Sequence, residues 1–564
     1  MDRRVRQIAG LITLLLLAVT ISAGWVQGIR AEQVASYEPS SEKHPGERAR
    51  NIFRIFEECR WERGPILSVD GQVLAESHRI EPGHRCRFER TYPARDLAPH
   101  IVGQWSLYFG KSGLESAYNV DLVGEPPPPR TLAEVFQQRP RVGNTLVSTI
   151  DTRLQRTALD ALGGRRGGVV ALNPKTGAVF VAASLPSFDP NGLSANDRGT
   201  AVSARCRLGL GFRLNADGNL ARDERGEPIP CDNPNSPMLS VALQARRPPG
   251  SSFKVVTAAA ALESGKYTPD SPSVPVRSAY TPPGDVIPIH NFGGGSCGGT
   301  ITQDLQVSCN TAFAQIANDI GAGPLRATAS AMGFDSLSGR NFVGCEGKPF
   351  SDIDLTHVGC LPEAFVRQNA KGEVTTRETL TTPAYRARAG FGQWVIQTNP
   401  FGMAVVAATV ANGGFVPRPR FAERVVDREG KTVLEVRTGI GPAAISPKVA
   451  GQVAQMMRGV VTGGTASGAL GGFSPPVAGK TGTAQQPTCS KDEAAIFGAG
   501  CGRLPHAWFI AFAPLQDPTI AIAVLVERGG GNNEAATGGQ VAAPVARQVL
   551  QKYFELYPVA RGSR

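Results

Sequence analysis

The first strong pattern in this chain of 564 residues is one long apolar segment near its amino terminus. Residues 8–29 are almost wholly uncharged and rich in leucine, and the segment is long enough to cross a bilayer as a helix. Arginines precede it, so residues 1–7 are predicted to stay in the cytoplasm and the rest of the chain to lie outside. A cleaved signal peptide is the alternative, although no clean A-x-A site follows the apolar core.

Alternating and continuous apolar runs predict two β-hairpins in the long carboxy-terminal part of the chain. Residues 169–172 and 179–182 flank one turn, and residues 506–513 and 519–526 flank a second. Because the two hairpins lie far apart in sequence, the pattern predicts an antiparallel sheet that is built from both ends of one domain.

Helical patterns accompany these strands. A helix is predicted over residues 152–162, with Asp151 as its amino-terminal cap and Gly163 at its end. Residues 253–264 indicate a buried apolar helix, and residues 540–556 carry valines on one face that can pack on the sheet. The fold class is therefore predicted to be α+β, with helices on the faces of the antiparallel sheet.

Two folded parts are expected beyond the apolar segment. Residues 30–141 mix short strands and turns and are predicted to form a small, mixed, β-rich pedestal domain. Residues 142–564 would form the larger domain. Within it, residues 193–235 are polar and glycine-rich and look inserted. They could line a groove or simply decorate the surface.

Composition excludes some classes of function. The formal net charge is +11, but arginine is dispersed without basic runs or interleaved aromatic residues, so no nucleic acid partner is expected. The seven histidines are scattered and there is no C-x-x-C, so a zinc site is disfavoured. No metal and no cofactor are predicted.

Three short motifs carry the candidate chemistry and stand in one order along the chain. They match S-x-x-K, S-x-N and K-T-G, which are the motifs of serine acyl transfer, at Ser251/Lys254, Ser308/Asn310 and Lys480-Thr481-Gly482. Together they supply a nucleophile, a base, a proton relay and an anchor for a carboxylate. Residues 40–43 also fit S-x-x-K and residues 175–177 also fit K-T-G, so the surrounding sequence must show which match is functional.

The context favours Ser251 as the nucleophile. Residues 248–250, Pro-Pro-Gly, cannot be helix interior, so Ser251 is predicted to open a helix among unpaired backbone N–H groups. Lys254 lies one turn further on the same face, and burial should lower its pKa so that a neutral amine can accept the serine proton. Taken alone, this motif could also be a capping serine beside an incidental lysine.

The third motif is predicted to lie on an edge strand. Residues 480–484 alternate as such a strand would, and Lys480 and Thr481 could hold a substrate carboxylate there. Gly482 would let a ligand approach the backbone closely. Residues 175–177, in contrast, indicate a plain turn between hairpin strands.

With these motifs the chain resembles the class B penicillin-binding proteins, which are monofunctional D,D-transpeptidases of peptidoglycan synthesis, and in particular the penicillin-binding protein A type of actinobacteria. Other elements of that family occur in family order, at Arg63-Gly64-Pro65-Ile66, Thr149-Ile150-Asp151, Ser187-Phe188-Asp189-Pro190-Asn191, Gly392-Gln393 and Trp508-Phe509. Arg247 departs from the pattern, because the family usually has an aromatic residue before Pro-Pro-Gly.

The resemblance implies a serine β-lactamase-like catalytic domain and a role for each motif residue. The roles are nucleophile for Ser251, base for Lys254, proton relay for Ser308, holder of the donor amide for Asn310, and holders of the terminal carboxylate for Lys480, Thr481 and Thr483. Backbone N–H groups of Ser251 and Thr483 would form the oxyanion hole. An amine of a second stem peptide would then resolve the acyl-enzyme into a cross-link.

The resemblance also implies the partners and the location. We expect peptidoglycan stem peptides and their lipid-linked precursor as substrates, β-lactams as inhibitors, and a membrane-embedded glycan polymerase as a protein partner, with a homodimer as a further expectation. The chain would be a single-pass cell-membrane protein with its catalytic domain outside, acting in elongation or division. The alternatives are a β-lactam-binding scaffold, or a serine β-lactamase or D,D-carboxypeptidase; the absence of a Glu-x-x-Leu-Asn stretch weighs against a class A β-lactamase.

All ten cysteines lie beyond the apolar segment, which fits an oxidising compartment. Neighbour pairing is the hypothesis for their connectivity, which sequence cannot fix. The pairs would be Cys59–Cys86, Cys206–Cys231, Cys297–Cys309, Cys345–Cys360 and Cys489–Cys501.

Overall fold

The computed structural model describes most of the chain beyond residue 57. The described residues are 13, 15, 40–41, 44–48 and 58–559, leaving out 82–85, 126–140, 214, 216–220, 232, 234, 337–341, 344–350, 353–355, 369–373, 394–395, 486–503 and 532–536. The predicted anchor, residues 8–29, thus lies outside the described residues except at two positions. Within the described part of the chain, none of the helices has the length and apolar character needed to span a membrane.

The amino-terminal part combines short strands with short helices. Its elements are β1 (Ser40–Ser41), β2 (His44–Arg48), β3 (Ile66–Leu67), β4 (Val73–Arg79), β5 (Phe88–Thr91), α1 (Pro99–Val102), β6 (Trp105–Ser106), β7 (Gly110–Lys111), α2 (Gly113–Ala117), α3 (Asn119–Val123) and β8 (Thr145–Ser148).

The larger part follows. Its elements are α4 (Thr152–Leu162), β9 (Gly167–Leu172), β10 (Val179–Leu185), α5 (Asn191–Ser194), α6 (Arg198–Arg207), α7 (Lys254–Glu263), β11 (Val274–Arg277), β12 (Ala279–Tyr280), β13 (Ile289–His290), β14 (Cys297–Gly299), α8 (Ile301–Val307), α9 (Asn310–Ile320), α10 (Ala322–Ala331), β15 (Phe342–Val343), β16 (Gly359–Cys360), β17 (Ala364–Gln368), β18 (Val374–Thr379), α11 (Pro383–Gly390), β19 (Gln397–Thr398), α12 (Pro400–Ala411), β20 (Phe415–Pro417), β21 (Ala422–Val426), β22 (Thr432–Glu435), β23 (Ile440–Ala443), α13 (Pro447–Thr462), α14 (Ser467–Leu470), β24 (Ala478–Ala484), β25 (His506–Ala513), β26 (Ile520–Val526) and α15 (Ala543–Leu556).

A five-stranded antiparallel sheet forms the centre of the larger part. Its strand order is β10-β9-β26-β25-β24, so both predicted hairpins are present and the sheet is built from both ends of the region. All residues of β9, β25 and β26 are buried, because helices cover both faces of these inner strands. β24, which carries the K-T-G motif, is an edge strand as predicted.

The helices of the larger part pack in two groups. α12, whose residues are buried from Pro400 to Val410, crosses β9, β25 and β26 and contacts α13, which in turn contacts α7. On the other face α4 and α15 pack against each other and the sheet. α4 begins and ends as predicted, since Asp151 accepts from the backbone N–H of Arg153 and Leu154 and Gly163 is left-handed.

A second sheet joins the two parts of the chain. Its order is β22-β21-β8-β3-β4-β5, so strands from the amino-terminal part and from residues 422–435 share one hydrogen-bonded ladder. The Nε2–H of His100 also donates to the carbonyl oxygen of Pro237 at 2.7 Å. Burial lowers the pKa of His100 to about 4, so the ring stays neutral at this junction.

The insertion at residues 193–235 packs on the amino-terminal part rather than beside the groove described below. The Arg205 guanidinium lies 4.6 Å from the Phe109 ring centre. The hydroxyls of Ser106 and Tyr108 donate to backbone carbonyls of Leu193 and Asn196. None of the described residues from 193 to 235 lines the groove, and their contacts favour the surface interpretation.

Three of the predicted disulfides are confirmed, namely Cys59–Cys86, Cys206–Cys231 and Cys297–Cys309. Cys360 is also disulfide-bonded. Its predicted partner Cys345 lies outside the described residues, as do Cys489 and Cys501.

A buried ionic network holds the amino-terminal part together. The fully buried carboxylate of Glu115 accepts from Arg63 Nε at 2.5 Å, from Arg90 Nε at 2.7 Å and from the Tyr92 hydroxyl at 3.1 Å. Burial by itself would raise the pKa of Glu115, but the two guanidinium groups keep it below its ordinary value. The carboxylate therefore stays ionised and binds together three segments that are distant in sequence.

We predict that Glu115→Ala lowers the free energy of unfolding by about 3–5 kcal/mol, because it leaves two guanidinium groups buried without their anion. Urea denaturation followed by circular dichroism measures the loss. The matched control is Glu62→Ala, which breaks an exposed pair with Arg428 and should cost less than about 1 kcal/mol. Equal losses in the two variants would contradict this account.

Candidate active site

Ser251 lies in a short 3-10 turn, Gly250–Phe253, that runs directly into α7. Gly250 has a φ of +55°, and a Cβ there would stand 2.7 Å from the carbonyl oxygen of Thr483. Only glycine therefore allows this turn to lie against β24. Ser251 itself lines an open groove of about 1790 Å³.

The S-x-x-K and S-x-N motifs meet beneath this groove. The amine of Lys254 is fully buried and donates to the carbonyl oxygen of Ser308 at 2.7 Å and to Oδ1 of Asn310 at 2.7 Å, with a longer contact of 3.3 Å to Ser308 Oγ. It also lies 5.6 Å from the ring centre of Phe313. The lysine is thus fixed between the nucleophile turn and the start of α9.

The K-T-G motif reaches the same serine from the other side. Lys480 is fully buried, and its amine donates to Ser308 Oγ at 2.8 Å and to the Thr481 carbonyl oxygen at 2.9 Å. Ser308 ends α8 in the left-handed conformation, with a φ of +63°, which is uncommon for a residue other than glycine. This conformation turns its hydroxyl toward both amines.

Burial dominates the electrostatics of both lysines. It lowers the pKa of Lys254 well below the ordinary lysine value; the nearby charge of Lys480 lowers it further, whereas Asp304 acts in the opposite direction. Burial alone lowers the pKa of Lys480 to about 7. Since one charged amine disfavours a second beside it, the two lysines do not both carry a full charge at neutral pH.

The groove-facing side of β24 is formed by Thr481 and Thr483, which line the groove together with Ser251, Ser308 and Asn310. The hydroxyls of Thr481 and Thr465 lie 2.5 Å apart. The side chain of Gln393 donates to the Thr483 carbonyl oxygen at 3.2 Å. The threonine hydroxyls are the polar groups that β24 offers to a ligand, because Lys480 lies below the surface.

Gly482 has a different role from the predicted one. A Cβ at this position would meet Trp508 Cβ at 2.8 Å, the carbonyl oxygen of Pro249 at 2.9 Å and the backbone nitrogen of Ser252 at 3.1 Å. The close approach that Gly482 permits is therefore an approach of the nucleophile turn, and not of a ligand. Gly392 supports the same turn from its far side, since the Gly250 N–H donates to its carbonyl oxygen at 2.8 Å.

The S-x-N loop is braced by a disulfide and by an asparagine. Cys309, the middle residue of the motif, is buried and bonded to Cys297, as predicted. Oδ1 of Asn291 accepts from the backbone N–H of Thr311 at 3.0 Å, while its amide donates to the carbonyl oxygen of Arg277. These contacts tie the start of α9 to the strands on its outer side.

The structure explains the departure at Arg247. Its Nε donates to the carboxylate of Glu527 at 2.9 Å, and Arg166 donates to the other oxygen of the same carboxylate at 2.9 Å. The backbone of Arg247 pairs with Thr398. An ion pair with the end of β26 therefore anchors the segment that leads to Ser251.

All eight predicted site residues lie in or directly beneath one groove, whereas the single-motif match at 175–177 does not. In the turn at 175–177, Oδ1 of Asn173 accepts from the backbone N–H groups of Lys175 and Thr176, as a plain turn would. Sequence reasoning missed Thr465, for which there is no local signal. It also missed Asp304, which lies on α8 four residues before Ser308, because no helix was predicted there.

Two family models match successive parts of the chain. Residues 167–551 match the penicillin binding protein transpeptidase domain, and residues 63–145 match the penicillin binding protein A dimerisation domain.

Full-length relatives agree with these matches. The chain is 32% identical over 570 residues to the peptidoglycan D,D-transpeptidase PbpA of Mycobacterium tuberculosis, with 98% of each chain covered. It is 33% identical over 514 residues to PbpA of Mycolicibacterium smegmatis, covering 89% of this chain and 91% of the relative.

A solved structure of a relative supports the same family assignment. Penicillin-binding protein A from M. tuberculosis, as its ceftriaxone acyl-enzyme complex, matches with a TM-score of 0.68 and 30% identity, covering 88% of this chain and 99% of that one. Because the transpeptidase-domain match spans more than half of the chain and the mycobacterial relatives match nearly all of it, the chain belongs to the class B penicillin-binding proteins.

Proposed function

We propose that this protein is a peptidoglycan D,D-transpeptidase that cross-links stem peptides through an acyl-enzyme on Ser251. The observation that carries the proposal is the convergence of two buried lysine amines on Ser308 beside Ser251. A nucleophile, a base of lowered pKa and a hydroxyl relay are the parts that acyl transfer requires.

Lys254 is suited to remove the proton of Ser251. A neutral amine has two N–H donors and one lone pair, and the two short contacts at 2.7 Å to Ser308 O and Asn310 Oδ1 use both donors. The lone pair is then left for the Ser251 hydroxyl. Its O–H bond breaks as an N–H bond forms on Lys254, and the serine oxygen attacks the carbonyl of the penultimate D-alanine.

Ser308 is suited to pass a proton to the leaving group. Its oxygen accepts from Lys480 Nζ at 2.8 Å, which leaves its own O–H free to point toward the groove. The departing D-alanine amine would take that proton, and the serine oxygen would recover one from the lysines behind it. The same relay run backwards would accept the proton of the attacking amine in the second step.

The backbone N–H groups of Ser251 and Thr483 are the proposed oxyanion hole. Gly250 and Gly482 allow the nucleophile turn and β24 to lie in backbone contact, which places the two N–H groups on neighbouring segments. Each such donor is worth roughly 3–4 kcal/mol of the barrier. We assign Thr481 and Thr483 to the terminal carboxylate of the donor peptide, with Lys480 contributing its charge from below and Asn310 holding the donor amide.

The sequence and the relatives support a proposed setting for the enzyme at the cell membrane. The apolar segment at 8–29 is proposed as a single membrane anchor, with residues 1–7 in the cytoplasm, residues 30–141 as a pedestal and residues 142–564 as the transpeptidase domain outside. Substrates would be stem peptides and their lipid-linked precursor, and β-lactams would acylate the same serine. A membrane-embedded glycan polymerase and a second copy of this chain are the proposed protein partners.

The first test is labelling of the purified ectodomain with a fluorescent penicillin, followed by gel and intact mass. We expect stable one-to-one labelling that is lost in Ser251→Ala and kept in Ser296→Ala, a control serine that also lines the groove. No label on folded wild-type protein would contradict the proposal. Rapid loss of label with product release would indicate a hydrolase instead.

Gly482→Ala tests the contact between β24 and the nucleophile turn. The added methyl group would need space that Trp508 and the Pro249 carbonyl occupy, so we expect the second-order acylation rate to fall at least tenfold, since losing one oxyanion donor costs roughly 10²–10³. The control is Gly468→Ala, which lines the groove but has open space around its Cβ position. Acylation of the Gly482 variant at the wild-type rate would contradict the interpretation that Gly482 is needed for the contact between β24 and the nucleophile turn.

A further inference from the structure

Asp304 is a buried carboxylic acid that the mechanism above does not use. It lies on α8, one helical turn before Ser308, and its side chain is fully buried. Neither of its carboxyl oxygens has a hydrogen-bond partner among the described residues. Buried carboxylates are normally paired or hydrogen-bonded, so an unpartnered one beside an active site requires an explanation.

Lys254, on α7, is the cation whose charge acts on Asp304. Helices α7 and α8 contact each other, and the Lys254 amine donates to the carbonyl oxygen of Ser308, one turn after Asp304. Lys480, from β24, is a second amine whose charge acts on Lys254, and both amines contact Ser308 Oγ. Tyr267, which follows α7, is also affected by the charge of Asp304, which acts to raise its pKa. Its hydroxyl, however, donates to Asp319 on α9.

The other elements packed on α8 add no competing charge at this point. Arg458 of α13 donates instead to the carbonyl oxygen of Val477. β14 contributes Cys297, which is held in its disulfide. Among the described residues, the one cation whose charge acts on Asp304 is therefore Lys254, the proposed base.

We propose that Asp304 is a positioning residue whose carboxylate compensates the positive charge that Lys254 acquires when it takes the proton of Ser251. The inference rests on the proposed function and deepens it. The new ammonium forms at a fully buried site beside a second amine, where a charge without a counter-ion is costly. A carboxylate already buried in place offsets that cost without any rearrangement.

The pKa shifts of Asp304 and Lys254 support this role of Asp304. Burial raises the pKa of Asp304 to about 7, although Lys254 acts to lower it. The carboxyl is therefore largely ionised above neutral pH and protonated below it. In return Asp304 favours the charged form of Lys254, against burial and Lys480, which both favour the neutral form.

Removing Asp304 is expected to shift the pH dependence of acylation to lower pH. Acylation needs neutral Lys254, so its rate rises with pH through the pKa of that amine. Removing Asp304 removes the group that raises this pKa, so the rising limb moves to lower pH. The amine also becomes a weaker base, so the plateau rate falls.

The test is the second-order rate of acylation by the fluorescent penicillin, measured between about pH 5 and 10 for the wild-type ectodomain, Asp304→Asn and Asp304→Leu. We expect the half-maximal pH to fall by about one unit in both variants and the plateau to fall about threefold. The control is Asp319→Asn, an exposed carboxylate on α9 that binds Tyr267 and should leave the profile unchanged.

The two Asp304 variants distinguish an effect of the lost charge from an effect on packing. A purely structural role would lower the rate or the unfolding temperature without moving the half-maximal pH. The leucine variant fills the site without a polar group, so it carries the test if the asparagine variant does not fold.

An unshifted profile in a folded variant, an equal shift in Asp319→Asn, or failure of both Asp304 variants to fold would overturn the proposal. Failure of the proposed function would be visible separately, as a wild-type protein that takes no label.

Discussion

Two lysine amines buried beneath a single serine hydroxyl are the constraint on which the rest of this site depends. Neither amine can reach bulk water, so each must be largely neutral or be held by acceptors. Lys254 meets this demand with Ser308 and Asn310, and Lys480 meets it with Ser308 and its own strand. The lowered basicity that catalysis needs is thus a direct consequence of where the fold places the two side chains.

Close backbone contact is what brings those side chains together. Gly250, Gly392 and Gly482 each lie where a Cβ would collide with a neighbouring segment, so the nucleophile turn is held between β24 and the Gly-Gln loop. Because the contact is between backbones, it fixes Ser251 relative to Thr483 more rigidly than mobile side chains could. The ion pair of Arg247 with Glu527 secures the approach to the same turn.

The amino-terminal part is integrated with the rest rather than tethered to it. Strands from both parts share the six-stranded sheet, and the disulfide-closed insertion between β10 and α7 packs on Phe109. The Glu115 network fixes the segments that carry these contacts. Such an arrangement holds the groove at a set orientation relative to the amino-terminal part.

The sequence by itself determined the elements and most of the chemistry of this protein. Apolar periodicity located α4, both hairpins and the edge strand, because these depend on local pattern and on turn residues such as Gly163. The three motifs selected eight residues that the fold brings together in or beneath one groove, and neighbour pairing predicted three disulfides.

Tertiary structure alone decided how those parts meet. It placed Lys480 under Ser308 rather than in the groove, turned Gly482 toward the nucleophile turn, gave Arg247 its partner and set Asp304 beside Lys254. Each of these contacts joins segments from tens to hundreds of residues apart. The apolar pattern predicted that the helix of Lys254 is buried, but the partner of each charged group is set only when distant segments pack, so these partners could not be predicted from it.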